Sequence, residues 1–158
     1  MYNIRKAARD DVPGIYRMIN LLAEYEKMSD LVTGTTEDLE KLLFDSGIGH
    51  CLVAEDDGII GIALYFYNLS TFKCRCGIYL EDLFVLPERR GEGIGTALIR
   101  SLAKIAKEEN LGRLEWSCLD WNTPSLEFYK SLGAEPQNEW VHLRVDESGF
   151  DRFIGEEK

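Results

Sequence analysis

The chain has 158 residues, is 45% hydrophobic, and carries a formal charge of −10 from 18 basic and 28 acidic residues. That length and apolar content suit one core, so a single domain spanning 1–158 is expected. No apolar run nears the ~20 residues of a membrane span, and the charge repels nucleic acid and anionic lipid, so neither is an expected partner. Cations are the ligands most easily supplied. Four irregularly spaced cysteines make no disulfide framework, and residues 1–6 lack a signal peptide's apolar segment. The cytoplasm is therefore the expected compartment.

Residues 3–7 read as a first strand. Asp10 or Asp11 then caps a helix with Pro13 in its first turn and an apolar stripe of Ile15, Met18, Ile19, Leu22 and Tyr25. The helix ends in Glu24-Tyr25-Glu26-Lys27. Carboxylates there oppose the helix dipole, so they do not serve the helix itself. For Glu26, cation binding and plain solvation are equally good explanations. Thr36-Glu37-Asp38 opens a shorter helix ending near residues 44–46.

Residues 50–55 and 59–68 read as strands joined by a tight turn at Asp56-Asp57-Gly58. Cys74-Arg75-Cys76 spaces its thiols by one residue, not the two or more of zinc pairs, and no metal site is expected. Residues 79–86 form a strand interrupted by Glu81-Asp82 and stopped by Pro87. After Arg89-Arg90-Gly91-Glu92-Gly93-Ile94-Gly95-Thr96 the apolar period becomes helical, through Ile94, Ala97, Leu98, Leu102, Ile105 and Ala106, until Asn110 and Gly112. Residues 113–119 are another strand. Asn122 or Thr123 caps a helix with Pro124 in its first turn, and Gly133 ends it. Residues 140–145 alternate and read as a final strand, with His142 a packed strand residue.

The glycine-rich turn suits a phosphate. A helix N-terminus offers unpaired N–H groups, glycines let an anion approach the backbone, and Arg89 and Arg90 add charge. A P-loop would need Lys-Ser or Lys-Thr after its last glycine, and Gly95 is followed by Thr96-Ala97. A Rossmann fingerprint needs G-x-G-x-x-G near a first strand, and this motif is G-x-G-x-G in mid-chain. What remains is Arg90-x-x-Gly93-x-Gly95 directly behind an acid-bearing strand.

That pattern resembles the coenzyme A loop of the GCN5-related N-acetyltransferases (GNAT). Asn122-x-x-Ser125-x-x-Phe128-Tyr129 with Leu132-Gly133-Ala134 resembles the last motif of the same superfamily. Leu22-Ala23-Glu24-Tyr25-Glu26, the strand at 50–55, residues 79–85 and Phe128-Tyr129-Lys130 look like its diamine (spermidine/spermine) acetyltransferase family. Leu119-Asp120-Trp121-Asn122 is closer to that family's thialysine branch. The resemblance implies an α/β (α+β) GNAT fold: a central mixed, mostly antiparallel twisted sheet of about six to seven strands flanked by about four helices. It implies acetyl transfer from the co-substrate acetyl-CoA to a primary amine, on a homodimer. It places coenzyme contacts on Leu83, Phe84, Val85, Arg90, Gly91, Glu92, Gly93, Ile94, Gly95, Thr96, Asn122, Ser125 and Tyr129. Substrate contacts fall on Tyr25, Glu26, Glu81, Asp82, Glu115, Trp116 and Ser117. A short hairpin at Asp56-Asp57-Gly58, and Lys73 and Arg75 near the aromatic Phe72, depart from the spermidine enzymes.

The chemistry assigns two roles. Glu81 holds the ammonium and accepts its proton, directly or through water, and Tyr129 donates to the departing sulfur. Asp82 should point to the opposite face from Glu81 unless a bulge breaks the alternation, and the resemblance implies that bulge. No nucleophile elbow is present, and Cys51 and Cys118 lie in apolar strands, which disfavours an acetyl-cysteine. The expected function is N-acetylation of a small cationic amine: a polyamine, diamine, thialysine or lysine-like molecule. The alternatives are a protein lysine or N-terminal acetyltransferase and a non-catalytic acyl-CoA-binding module.

Overall fold

Runs of β-branched and aromatic residues separated by short turns build the sheet, and the computed structural model describes it within residues 1–156. The chain falls into two units, Met1–Ser117 and the remainder from Cys118. The first unit carries five strands in sequence order: β1 (Asn3–Lys6), β2 (His50–Glu55), β3 (Ile59–Ser70), β4 (Arg75–Val85) and β5 (Leu114–Trp116). The first four pair antiparallel, whereas β4 and β5 are parallel. A parallel pair needs a crossover, and α3 (Ile94–Glu108) supplies it. The mixed, mostly antiparallel character is as expected, with five strands rather than six or seven.

Helix α1 (Val12–Tyr25) packs on β3 and β4, burying Ile15 and Met18. Asp11 stands before it, but its carboxylate turns back to accept from the Ala8 N–H at 2.7 Å and from Arg5 at 2.7 and 3.0 Å. Helix α2 (Thr36–Glu40) begins in a reciprocal cap between Thr35 and Asp38 and runs on as a π-helical turn, Lys41–Asp45. On the other face of the sheet lies α3. A Cβ on Gly61 would come within 3.3 Å of Ile94 and Leu98, so only a residue without a side chain lets helix and strand meet this closely.

Alternation therefore defines two faces. Gly61, Ala63, Tyr65 and Tyr67 look toward α3, where Tyr67 donates to Glu109 at 3.0 Å and His50 stacks on Tyr65 at 5.4 Å. Ile62, Leu64 and Phe66 look toward α1. The second unit holds α4 (Thr123–Ser131) and the one-turn α5 (Phe150–Phe153).

Two strand expectations change. Residues 113–119 pair only over Leu114–Trp116. Residues 140–145 form no strand: among the described residues no backbone ladder reaches them, and Trp140, Val141 and Leu143 are 76%, 79% and 85% exposed. Alternation supplies a strand's two faces, but a strand also needs a neighbouring edge to take its N–H and C=O groups.

Candidate active site

The loop between β4 and α3 is built around backbone donors. Gly93 is the cap of α3 at φ 80°, Gly91 sits at φ 87°, and both positions are unfavourable for a side chain. No atom lies within 4 Å of where their Cβ atoms would be, so the space before the helix is open. Among the described residues, no acceptor takes the N–H groups of Gly91, Glu92, Gly93, Ile94, Gly95 or Thr96; the first bond of the helix is Ala97 to Gly93. Six unspent donors at the positive end of a 15-residue helix fit a diphosphate.

The two arginines divide. Arg89 bonds Glu92 at 2.7 Å and Asp56 at 2.8 Å, which spends its charge inside the fold. Those same bonds hold both carboxyls below the usual carboxylate range and keep Glu92 from repelling an anion. Arg90 has no such partner. Its Nε donates to the Val85 carbonyl at 3.2 Å and its guanidinium lies over the rings of Tyr25 and Phe84.

The acidic end is made by a bulge. Leu64 faces Asp82 across the ladder while Tyr65 faces Leu80, so Glu81 is the extra residue. The expectation drawn from the family resemblance holds, and it has a consequence for direction. Asp82 and Phe84 share the α1 face, Leu80 takes the α3 face, and Glu81 is exposed between them. Burial, then the charges of Glu81 and Glu26, push the Asp82 carboxyl up to about 7. Burial also raises Glu26, just past the last residue of α1. Three carboxylates from two elements thus meet at a helix C-terminus, where the dipole adds further negative potential. The Asp82 carboxyl is thereby raised into the physiological range. In the same row as Asp82, burial pushes the Cys51 thiol up to about 12, which leaves it inert as a nucleophile.

The other expected residues are placed as follows. Glu115 pairs with Tyr79 in the row of Phe66, on the acid face, and its carboxylate is taken by Arg113 at 2.8 Å and Asn68 at 3.0 Å. Ser117 continues that face and its Oγ lies 2.6 Å from the Tyr79 hydroxyl. Trp116 pairs with Leu80 and so takes the opposite face from Asp82. Leu83 is half-buried beside Phe84 in β4. In the second unit, Asn122 is 5% exposed and caps α4 by accepting from the Ser125 N–H at 3.4 Å. Asn122, Ser125 and Tyr129 recur at helical spacing along one side of α4, and Tyr129 packs against Phe128 at 5.3 Å. Tyr79 was not singled out in the sequence, although its spacing of two from Glu81 was the available signal. A separate cleft of about 350 Å³, lined by Arg17, Asn20, Leu21, Glu24 and Ser29, contains none of the expected site residues.

Residues 15–134 match the acetyltransferase (GNAT) family. The bovine thialysine Nε-acetyltransferase is 40% identical, over 96% of each chain. The mouse protein of that name is 36% identical, again over 96% of both. An integron cassette protein from the mobile metagenome of Vibrio cholerae superposes with a TM-score of 0.81 at 25% identity, covering 98% of each chain. The chain belongs to the acetyltransferase (GNAT) family, and it is an N-acetyltransferase. Within the family it resembles the thialysine branch of the diamine acetyltransferases.

Proposed function

We propose that this chain transfers the acetyl group of acetyl-CoA by direct attack to a primary amine of a small cation: a thialysine-like, lysine-like, diamine or polyamine substrate. The observation that carries the reading is the pairing of an unspent anion cradle with a carboxylate cluster in which Asp82 is desolvated. Its relatives' names point the same way, toward thialysine, and for an Arabidopsis relative at 26% identity toward L-ornithine.

Acetyl-CoA supplies the thioester. The backbone of Gly91, Glu92, Gly93, Ile94, Gly95 and Thr96, with Arg90, would hold its diphosphate; Leu83, Phe84, Val85, Asn122 and Ser125 would hold the rest. Glu26, Glu81 and Asp82, with Tyr25 and the β5 residues Glu115 and Ser117, would receive the amine. An alkylammonium with a pKa of about 10.4 must lose a proton at a cost of about 4.6 kcal/mol at pH 7. A carboxylate of ordinary pKa is a poor base for that. Asp82, poised near 7, is better matched, and Glu81 at the bulge passes the proton to water. A backbone N–H at Phe84 or Val85 holds the charge that develops on the acetyl oxygen. Tyr129 hydrogen-bonds the departing sulfur. Full transfer from a phenol near 10 to a thiolate near 8.5 is uphill by about 2 kcal/mol, so a hydrogen bond suffices.

The family match runs through the Ser117–Cys118 boundary, and on that support we take the whole chain as one acetyltransferase domain. We also propose a homodimer. Residues 140–145, irregular and with Trp140, Val141 and Leu143 exposed, are what a second copy would cover. A cytoplasmic setting, without nucleic acid, membrane or metal partner, completes the proposal.

The test is coenzyme A thiol release from acetyl-CoA across thialysine, lysine, ornithine, spermidine and a lysine-peptide panel. Release with the small amines supports the reading, release with peptides alone favours a protein acetyltransferase, and no release with any of them ends it. Tyr129→Phe is expected to lower kcat about tenfold or more.

A further inference from the structure

The acid face of the sheet is not acidic along its whole length. Toward the turn between β3 and β4, alternation puts Arg75, Gly77 and Tyr79 on that face. The parallel pairing sets Arg113 beside Gly77 and Glu115 beside Tyr79. Lys73 joins them: its stem and that of Arg75 lie within 3.4 Å of where a Gly112 Cβ would be. The Lys73 ammonium donates to the Gly112 carbonyl at 2.9 Å, and Arg75 donates to the Asn110 side-chain oxygen at 3.1 Å. Both acceptors are neutral, and among the described residues no carboxylate pairs with Lys73 or Arg75.

One carboxylate stands among these cations, and it is held on one side only. Arg113 Nε at 2.8 Å and Asn68 Nδ2 at 3.0 Å both bond Glu115 Oε1. Among the described residues no donor takes Glu115 Oε2. Nor does any acceptor take Arg113 Nη1, whereas Nη2 donates to the Leu69 carbonyl at 3.1 Å. Asn68 reaches Glu115 across Gly77, where a Cβ would come within 2.7 Å of Asn68 Oδ1. That oxygen is left buried without a partner, a cost that the bond to Glu115 has to offset. The Arg113 and Glu115 side chains are 41% and 38% exposed, so a ligand can reach the pair. Glu81 lies two residues from Tyr79, about 7 Å along an extended strand, and Glu115 is the neighbour of Tyr79 in the ladder. A lysine side chain spans that interval.

We propose that the Arg113–Glu115 pair determines specificity at the far end of the substrate by reading an α-amino-acid head group. Glu115 Oε2 accepts from the α-ammonium and Arg113 Nη1 donates to the α-carboxylate, while the side-chain amine reaches Glu81 and Asp82. Opposite charges side by side match a zwitterion. A diamine or polyamine also brings a second cation to Glu115, but sets it against Arg113, Arg75 and Lys73. The acceptor is therefore a basic amino acid. This narrows the acetyl-transfer reading above and rests on it.

The experiment measures kcat/KM by coenzyme A thiol release at saturating acetyl-CoA. Its substrates are the fastest basic amino acid among thialysine, lysine and ornithine, and the two counterparts lacking only the α-carboxylate (cadaverine for lysine) or only the α-amino group (ε-aminocaproate for lysine). The wild type is expected to prefer the amino acid over each counterpart by about tenfold or more. In Arg113→Gln the preference over the decarboxylated counterpart should fall to within about threefold, with the other preference kept. In Glu115→Gln the reverse is expected. A substitution that merely loosened the strand would slow all three substrates alike and leave both ratios standing, and that result overturns the inference. So does a wild type that acetylates cadaverine or spermidine as well as the amino acid. Both side chains are exposed, so both variants should fold, and a thermal melt checks this. Amine acetylation without the two preferences sinks this inference alone; no thiol release with any amine sinks the functional reading with it.

Discussion

The two ends of the candidate site are built by opposite means. The anion end is a backbone device: six N–H groups, two glycines at positive φ and one arginine held by rings and a carbonyl rather than a carboxylate, all within residues 90–96. The cation end is a side-chain device assembled from distant segments, with Glu26 after α1 and Glu81 and Asp82 at a bulge in β4. The first is open and needs no desolvation to work. The second gains its strength from burial, which sharpens its electrostatics and also moves its titration into the physiological range. A local device tolerates change elsewhere in the molecule, whereas an assembled one depends on the register of the sheet.

The difference can be broken first at the glycines. Gly93→Val forces a β-branched residue to φ 80° with no clash to relieve, and is expected to weaken coenzyme A about 100-fold. Calorimetry should show amine binding to the coenzyme-free protein unchanged; a matching loss there would mean the two ends are not separate devices.

Asp82→Asn attacks the other end. The amine's kcat/KM is expected to fall about 30-fold at pH 8, with coenzyme A affinity within about threefold of wild type. The pH profile carries the sharper signature. A carboxylate must be ionised to hold the cation, so wild-type activity should rise through about pH 7, and the variant should lose that inflection.

Stability should move the other way. The Asp82 carboxyl is raised from 3.8 to about 7, so ionising it in the folded protein costs energy that the unfolded chain is spared. Its contribution is intact below pH 4 and is lost as pH rises from 4 to 7. Asp82→Asn is therefore expected to stabilise the protein at pH 8 by about 1–2 kcal/mol and to match the wild type near pH 4, as read from denaturant melts at both pH values. The smallest effect belongs to Arg89→Gln. Since Arg89 spends its charge on Glu92 and Asp56, coenzyme A affinity should change by less than about threefold. A loss of tenfold or more would show that the loop needs both charges.

The elements legible in the sequence are those whose cause is local. The helical period from Ile94, the glycines before it, the helix start at Thr36 and the Asn122 cap of α4 all lie within a few residues of what they determine. Residues 140–145 show the limit. Their alternation is real, yet a strand's hydrogen bonds belong to whichever edge it meets, and alternation does not name that edge. The family resemblance groups Trp116 with Glu115 and Ser117 as substrate contacts, and the pleat sends Trp116 to the other face of the sheet.

The sequence by itself determined the anion cradle, because left-handed glycines and a helix start are properties of a short segment. It also determined that carboxylates would be present, because composition alone put them there. Only the tertiary structure decided which carboxylate matters. The bulge that seats Glu81 apart from Asp82, the burial that lifts Asp82 and the approach of Glu26 are relations between residues far apart in the chain, and desolvation exists only once those residues are packed together. It also decided that Arg89 would pair with carboxylates and Arg90 lie over rings, since that depends on where Asp56 and the Tyr25 ring come to lie.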